Sequence, residues 1–146
     1  MENLKEINFQ LISEYGCAPS KSHASDVGWD LAAAIKDPII INPGEHYLCP
    51  TGIILELPIG TYGQVASRSG LALQGLIVLG GVIDSGYRGE IKIIIHNLNS
   101  FTMSIEPKQR IAQLLLLNYN TSNLTLRTLN FQETDRGEKG FGSSDK

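Results

Sequence analysis

Three short segments hold residue types suited to gripping an anion. Arg68-Ser69-Gly70 joins a forked guanidinium, a hydroxyl and a residue without a side chain, at what reads as the start of a short helix. Free N–H groups and the positive dipole end at such a start attract negative charge. A guanidinium fork matches phosphate oxygens. A capped helix with a surface arginine would show the same three residues. The second segment, Gly80-Gly81-Val82-Ile83-Asp84-Ser85-Gly86-Tyr87-Arg88-Gly89-Glu90, sets an acid beside an aromatic ring and another arginine. Its paired glycines allow a ligand or a second backbone to come close. Taken as structure alone, it is a β-hairpin turning at Asp84-Ser85-Gly86. The third segment is Arg136-Gly137-Glu138-Lys139-Gly140-Phe141-Gly142-Ser143-Ser144. Glycines there let backbone N–H groups curl round an anion. Phe141 has no apolar neighbours in the tail and is suited to stacking on a planar base. The segment lacks the spacing of a Walker loop, and a mobile polar tail remains an alternative reading.

Two weaker segments complete the set. Gly28-Trp29-Asp30-Leu31 holds an acid after an aromatic, a pattern also common at strand edges. Arg110-Ile111-Ala112-Gln113-Leu114 holds a polar Gln113 in an apolar run, and a buried amide needs a partner. His23, His46 and His96 are far apart, and no cluster of Cys, His and carboxylates has zinc-ligand spacing. Together, the cationic groups, N–H nests, stacking aromatic and few acids describe a nucleotide polyphosphate with a magnesium ion. They do not name the base.

Composition narrows the field. The 146 residues suit one domain with a sizeable core. Lys and Arg number 12 against 15 Asp and Glu, so a surface for duplex nucleic acid is not expected. No apolar run reaches the roughly 18 residues of a membrane span, and Met1-Glu2-Asn3-Leu4-Lys5-Glu6 does not open a secretory signal. Two lone cysteines, Cys17 and Cys49, make neither a disulfide framework nor a zinc knuckle, which fits an intracellular setting.

The elements that must position these residues read as short strands. Ile39–Ile41, Gly52–Leu57, Tyr62–Ala66, Glu90–His96, Phe101–Ile105, Ile111–Leu117 and the alternating Leu124–Leu129 are apolar or period-two runs bounded by turn residues. Such spacing predicts an all-β sandwich, jelly roll or barrel. One short helix is expected, with Ser69 as N-cap and Gly75 closing it.

In chain order, Ala24 to Leu31, Arg68 to Ala72, Gly80 to Glu90, Arg110 to Leu114 and Arg136 to Ser144 resemble the motifs of the trimeric all-β dUTP pyrophosphatase (dUTPase) family. The resemblance implies a distorted jelly-roll or β-barrel-like fold with one short helix. Residues 1–118 would form the catalytic core and 119–146 an extended C-terminal arm. It implies a homotrimer with shared active sites that hydrolyses dUTP to dUMP and pyrophosphate with Mg2+, limiting uracil in DNA and supplying dUMP for thymidylate synthesis.

Carried over by residue, the resemblance makes Asp84 the group that orients and deprotonates the attacking water. Tyr87 packs on the deoxyribose and excludes a 2′-hydroxyl. The backbone from Val78 through Gly81, Val82 and Ile83 to Asp84 reads the uracil edge. Arg68, Ser69 and Gly70 bind phosphate oxygens, and Gln113 sits in the phosphate and metal-water network. Asp30 holds magnesium through water. Arg136 with Gly142, Ser143 and Ser144 closes over the outer phosphates, and Phe141 covers the uracil. Ser67, Trp29 and Ser144 stand where the family often has proline, tyrosine and threonine. The related dCTP deaminases and a non-catalytic protein-binding role are the alternatives. The Tyr87-Arg88-Gly89 segment and the glycine-rich tail speak against the former.

Overall fold

The computed structural model describes residues 6–130 and 132–140. Its strands are β1 (Asn8–Leu11), β2 (Trp29–Ala32), β3 (Ile39–Ile41), β4 (His46–Pro50), β5 (Ile53–Glu56), β6 (Thr61–Ala66), β7 (Leu76–Leu79), β8 (Val82–Ile83), β9 (Lys92–Asn97), β10 (Met103–Ile105) and β11 (Arg110–Asn118). One helix, α1 (Ser69–Leu73), lies between β6 and β7. The strands form four antiparallel sheets, ordered β1-β5, β10-β3, β2-β11-β6-β8 and β4-β9-β7. Among the described residues, the all-β class with a single short helix is as expected. The sheets do not close into one barrel.

Alternation explains the strands. In β9, Ile93, Ile95 and Asn97 point inward while Lys92, Ile94 and His96 point outward. Ile93 and Ile95 meet Leu31, Ile41, Ile53, Ile105 and Ile111 in one buried cluster. Each such side chain contributes about 1.5–3 kcal/mol through burial. Asn97 is the polar exception. Its amide donates to Ile41 O at 3.0 Å and Phe101 O at 2.8 Å, and its Oδ1 accepts from Asn99 N at 3.0 Å.

Several sequence expectations need correction. Asp84–Tyr87 does form a turn, closed by Tyr87 N–H to Asp84 O at 3.0 Å. Its flanking strands are nevertheless not a hairpin: β8 pairs with β6, and β9 pairs with β4 and β7. The helix N-cap is Arg68, with extended backbone and no side-chain cap bond, and Ser69 is the first helical residue. Gly75 closes the helix as expected, at φ +83°. Leu124–Leu129 is not a strand. Leu124 and Leu126 are 103% and 101% exposed, and no backbone partner is within the described chain. Alternation alone cannot hold a strand that has nothing to pair with. Among the described residues, no helix is long and apolar enough to cross a membrane.

Candidate active site

Register on β11 builds the first half of the site. Gln113 lies opposite Asp30 on β2 and opposite Ala66 on β6, so three strands bring Asp30, Gln113 and the Ser67-Arg68 turn side by side. A bulge between Arg110 and Ala112 shifts the β2–β11 pairing, the kind of irregularity that re-aims a side chain. Arg110 Nη1 then lies 3.4 Å from Asp30 Oδ2. Arg68 Nε lies 2.9 Å from Asp30 Oδ1, and its Nη1 donates to Arg110 O at 3.2 Å. The Asp30 carboxylate is only 14% exposed between these two guanidiniums.

A cleft of about 420 Å³ opens here, lined by Asp26, Asp30, Arg68, Ser69, Gly70 and Gln113 among others. A hydrogen bond from His23 N–H holds the Asp26 carboxyl below its ordinary range. The Gln113 amide donates to Ser67 O at 2.9 Å, which supplies the partner its half-buried position requires. Gly28 lies against the Gln113 amide so closely that a Cβ there would collide with it. Among the described residues, no group of three His, Cys, Asp or Glu side chains stands ready to hold a metal by itself. Two carboxylates lining one cleft do suit a cation that arrives with phosphates and keeps its own waters.

The second half lies across β7 and β8. A cleft of about 410 Å³ is lined by Val78, Gly81, Val82, Ile83, Asp84 and Tyr87, together with Leu48, Ile94 and others. The chain passes from β7 in one sheet to β8 in another through Gly80 (φ +65°) and Gly81 (φ +107°). A Cβ on Gly81 would meet Val65 O at 2.5 Å, and Gly81 O accepts from Val65 N–H at 2.7 Å. Only glycine combines that φ with that approach. Tyr87 OH donates to Glu90 O at 2.9 Å, and its ring covers Gly89. Arg88 Nη1 donates to Ser85 O at 2.8 Å and Tyr87 O at 3.0 Å, so it braces the turn. Asp84 is exposed at the rim.

The sequence-predicted residues therefore form two groups rather than one. Asp30, Arg68, Ser69, Gly70 and Gln113 line one cleft; Val78, Gly81, Val82, Ile83, Asp84 and Tyr87 line the other; the two share no lining residue. Arg136 lines neither, and its Nε donates to Lys139 O at 3.3 Å. Phe141, Gly142, Ser143 and Ser144 lie outside the described residues.

Two residues with no role assigned from sequence adjoin the clefts. Ser67 stands between them and accepts the Val78 N–H on its Oγ at 2.8 Å. Tyr119 sits beside the Asp84 turn, its OH 3.4 Å from Ser85 Oγ. That bond, then one involving Gly60, lowers the Tyr119 phenol from its ordinary value. Ser67 stands out in the sequence only as a departure from the family's usual proline before Arg68. Tyr119 had no sequence signal, since only the return of β11 brings it near residue 85.

The sequence pattern of the dUTPase family matches residues 14–145. The chain is 47% identical over 129 residues to the deoxyuridine 5'-triphosphate nucleotidohydrolase of Orientia tsutsugamushi strain Ikeda, covering 86% of each. It is 45% identical over 130 residues to the enzyme of that name from Chlamydia pneumoniae, covering 87% of this chain and 90% of the other. A solved structure of the Staphylococcus bacteriophage 80alpha dUTPase with dUPNHPP superimposes with a TM-score of 0.88 at 28% identity, covering 95% of this chain and 98% of that one.

Proposed function

The chain belongs to the dUTPase family, and from that premise we propose how its residues share the hydrolysis of dUTP to dUMP and pyrophosphate. The enzyme is a dUTP diphosphatase. The observation that carries the residue assignment is the division of the site into two clefts of similar size, one polar and lined by Arg68, Asp26, Asp30, Gln113 and the start of α1, the other walled mainly by apolar side chains and glycine backbone with Asp84 at its rim.

The base and sugar enter the cleft of Val78 to Tyr87, where backbone from Val78 through Gly81, Val82 and Ile83 reads the uracil edge. A close backbone wall leaves no space for a 5-methyl group, and a mismatched edge leaves buried groups unpaired. The Tyr87 ring packs on the deoxyribose and excludes a 2′-hydroxyl. The triphosphate lies along Arg68, Ser69 and Gly70, where the guanidinium and the helix-start N–H groups meet its oxygens. Gln113 orders the same network. Asp84 takes a proton from water as the water oxygen bonds to the α-phosphorus. The bond from that phosphorus to the bridging oxygen then breaks, and pyrophosphate leaves. Such catalysis is mostly positioning and charge neutralisation. Mg2+, when bound, neutralises phosphate charge, and Asp30 would hold it through water. Arg136, Phe141, Gly142, Ser143 and Ser144 close the site from the arm of residues 119–146.

Since one chain separates the two clefts, a homotrimer with shared sites joins the base cleft of one subunit to the phosphate cleft of the next. Uncovered apolar surface supports that assembly: Leu124 and Leu126 are bare. Both cysteines are free, in keeping with an intracellular enzyme.

Pyrophosphate release from dUTP, dCTP, dTTP and UTP with magnesium tests the reading. Turnover of dUTP far above the other three is expected. Equal rates on all four, no rate on dUTP, or ammonia release from dCTP would overturn it. Sedimentation should give three times the 15.9 kDa of one chain.

A further inference from the structure

We propose that Ser67 is a positioning residue for substrate selection, its hydroxyl tying the β7 wall of the base cleft to the β6–α1 turn; this rests on the assignment of the base cleft above. Ser67 leaves β6 immediately before Arg68, the N-cap of α1. Its carbonyl accepts the Gln113 amide at 2.9 Å, and its Oγ accepts the Val78 N–H at 2.8 Å. One residue thus touches a wall of each cleft through two different atoms.

The Val78 bond is not replaceable by the sheet. β7 is an edge strand of β4-β9-β7, where Val78 pairs only with Ile95 of β9. A strand edge leaves outward N–H groups without partners. Ser67 Oγ supplies the acceptor for one of them, at a half-buried position where an unmet donor is costly. Without that oxygen the β7 end of the cleft loses its tie to the β6–α1 turn, two residues before the Gly80-Gly81 crossing. The Gln113 bond, made to the backbone carbonyl, survives any change of the side chain. The hydroxyl's effect therefore falls on the base cleft and spares the phosphate cleft.

The test is Ser67→Ala beside Ser67→Thr, with steady-state kinetics on dUTP and dTTP. Ser67→Ala should raise KM for dUTP about fivefold, the size of one net hydrogen bond. It should narrow the preference for dUTP over dTTP and change kcat less than KM. Ser67→Thr keeps the hydroxyl and should restore both values. Unchanged KM and selectivity in Ser67→Ala, with or without a lower melting temperature, would overturn the proposal, as would failure of threonine to rescue. Amide exchange in the wild type gives a second reading that needs no variant: Val78 N–H should be protected, and exchange at the rate of an open edge would refute the bond. A wild type that does not hydrolyse dUTP would instead refute the functional reading.

Discussion

Arg68 Nε and Asp30 Oδ1 lie 2.9 Å apart although 38 positions separate them in the chain, and both line the cleft of Ser69, Gly70 and Gln113. Arg110 approaches the other carboxylate oxygen at 3.4 Å, so a single acid aligns two guanidiniums. The Arg68 and Arg110 side chains are 34% and 51% exposed, so both guanidiniums keep access to water when the acid is removed, and such contacts contribute at most about 1 kcal/mol to stability. In the proposed site the pair aims Arg68 at the triphosphate. Asp30→Ala should therefore lower the melting temperature little, yet reduce kcat/KM for dUTP by about a hundredfold and raise the magnesium needed for half-maximal rate. Calorimetry and a magnesium titration of the rate measure the two effects separately. A large loss of stability with unchanged kinetics would contradict the assignment.

Asp84→Asn keeps the size of the side chain and removes the base. A general base accounts for roughly 10²–10⁴ in rate, so kcat should fall within that range. Titration with a non-hydrolysable dUTP analogue should show affinity within a few-fold of wild type. Parallel losses of binding and turnover would mean that Asp84 shapes the cleft instead of activating water.

Gly81→Ala puts a methyl group 2.5 Å from Val65 O at φ +107°. Backbone strain of this sort costs about 1–3 kcal/mol, and the β7–β8 crossing must shift to relieve it. Denaturant midpoints should fall accordingly, and KM for dUTP should rise because the displaced segment walls the base cleft. Retention of both values would show that the crossing is softer than its contacts indicate.

Cys49 is fully buried in the core, and burial, followed by the negative charge of Glu90, pushes its thiol up to about 12 from an ordinary value near 9. The folded state thus disfavours the thiolate. This group's contribution to stability is complete below pH 9 and is lost as pH rises from 9 towards 12. Cys49→Ala should flatten the alkaline fall of the denaturation midpoint relative to wild type. At pH 8 a thiol reagent should modify the half-buried Cys17 well before Cys49. Equal modification rates in the native protein would contradict the buried assignment.

Local features were legible in the sequence, because they rest on residue types within a few positions of each other. Gly80-Gly81 signalled a close approach and Gly75 a helix end, and both stand in the structure. The segments read as an anion site and as an acid beside an aromatic ring each line a cleft, Arg68, Ser69 and Gly70 one and Asp84 and Tyr87 the other. Period-two runs marked most strands, since alternation is a local property of a strand with one buried face. Tertiary structure decided what depends on distant partners. The same local pattern became a strand at Ile93–Ile95, where β4 and β7 flank it, and exposed chain without regular structure at Leu124–Leu129, where no described strand does. Asp84-Ser85-Gly86 kept its turn but lost its hairpin, because β8 found β6 and β9 found β4 and β7. The local pattern at Asp30 fitted a strand edge as well as a site, and the resemblance made it a magnesium holder; only the β2–β11 register set it between two arginines 38 and 80 positions away. Hydrogen-bond and charge partners are chosen by which strands pack together, and that choice depends on burying the whole apolar face, which no short window of sequence contains.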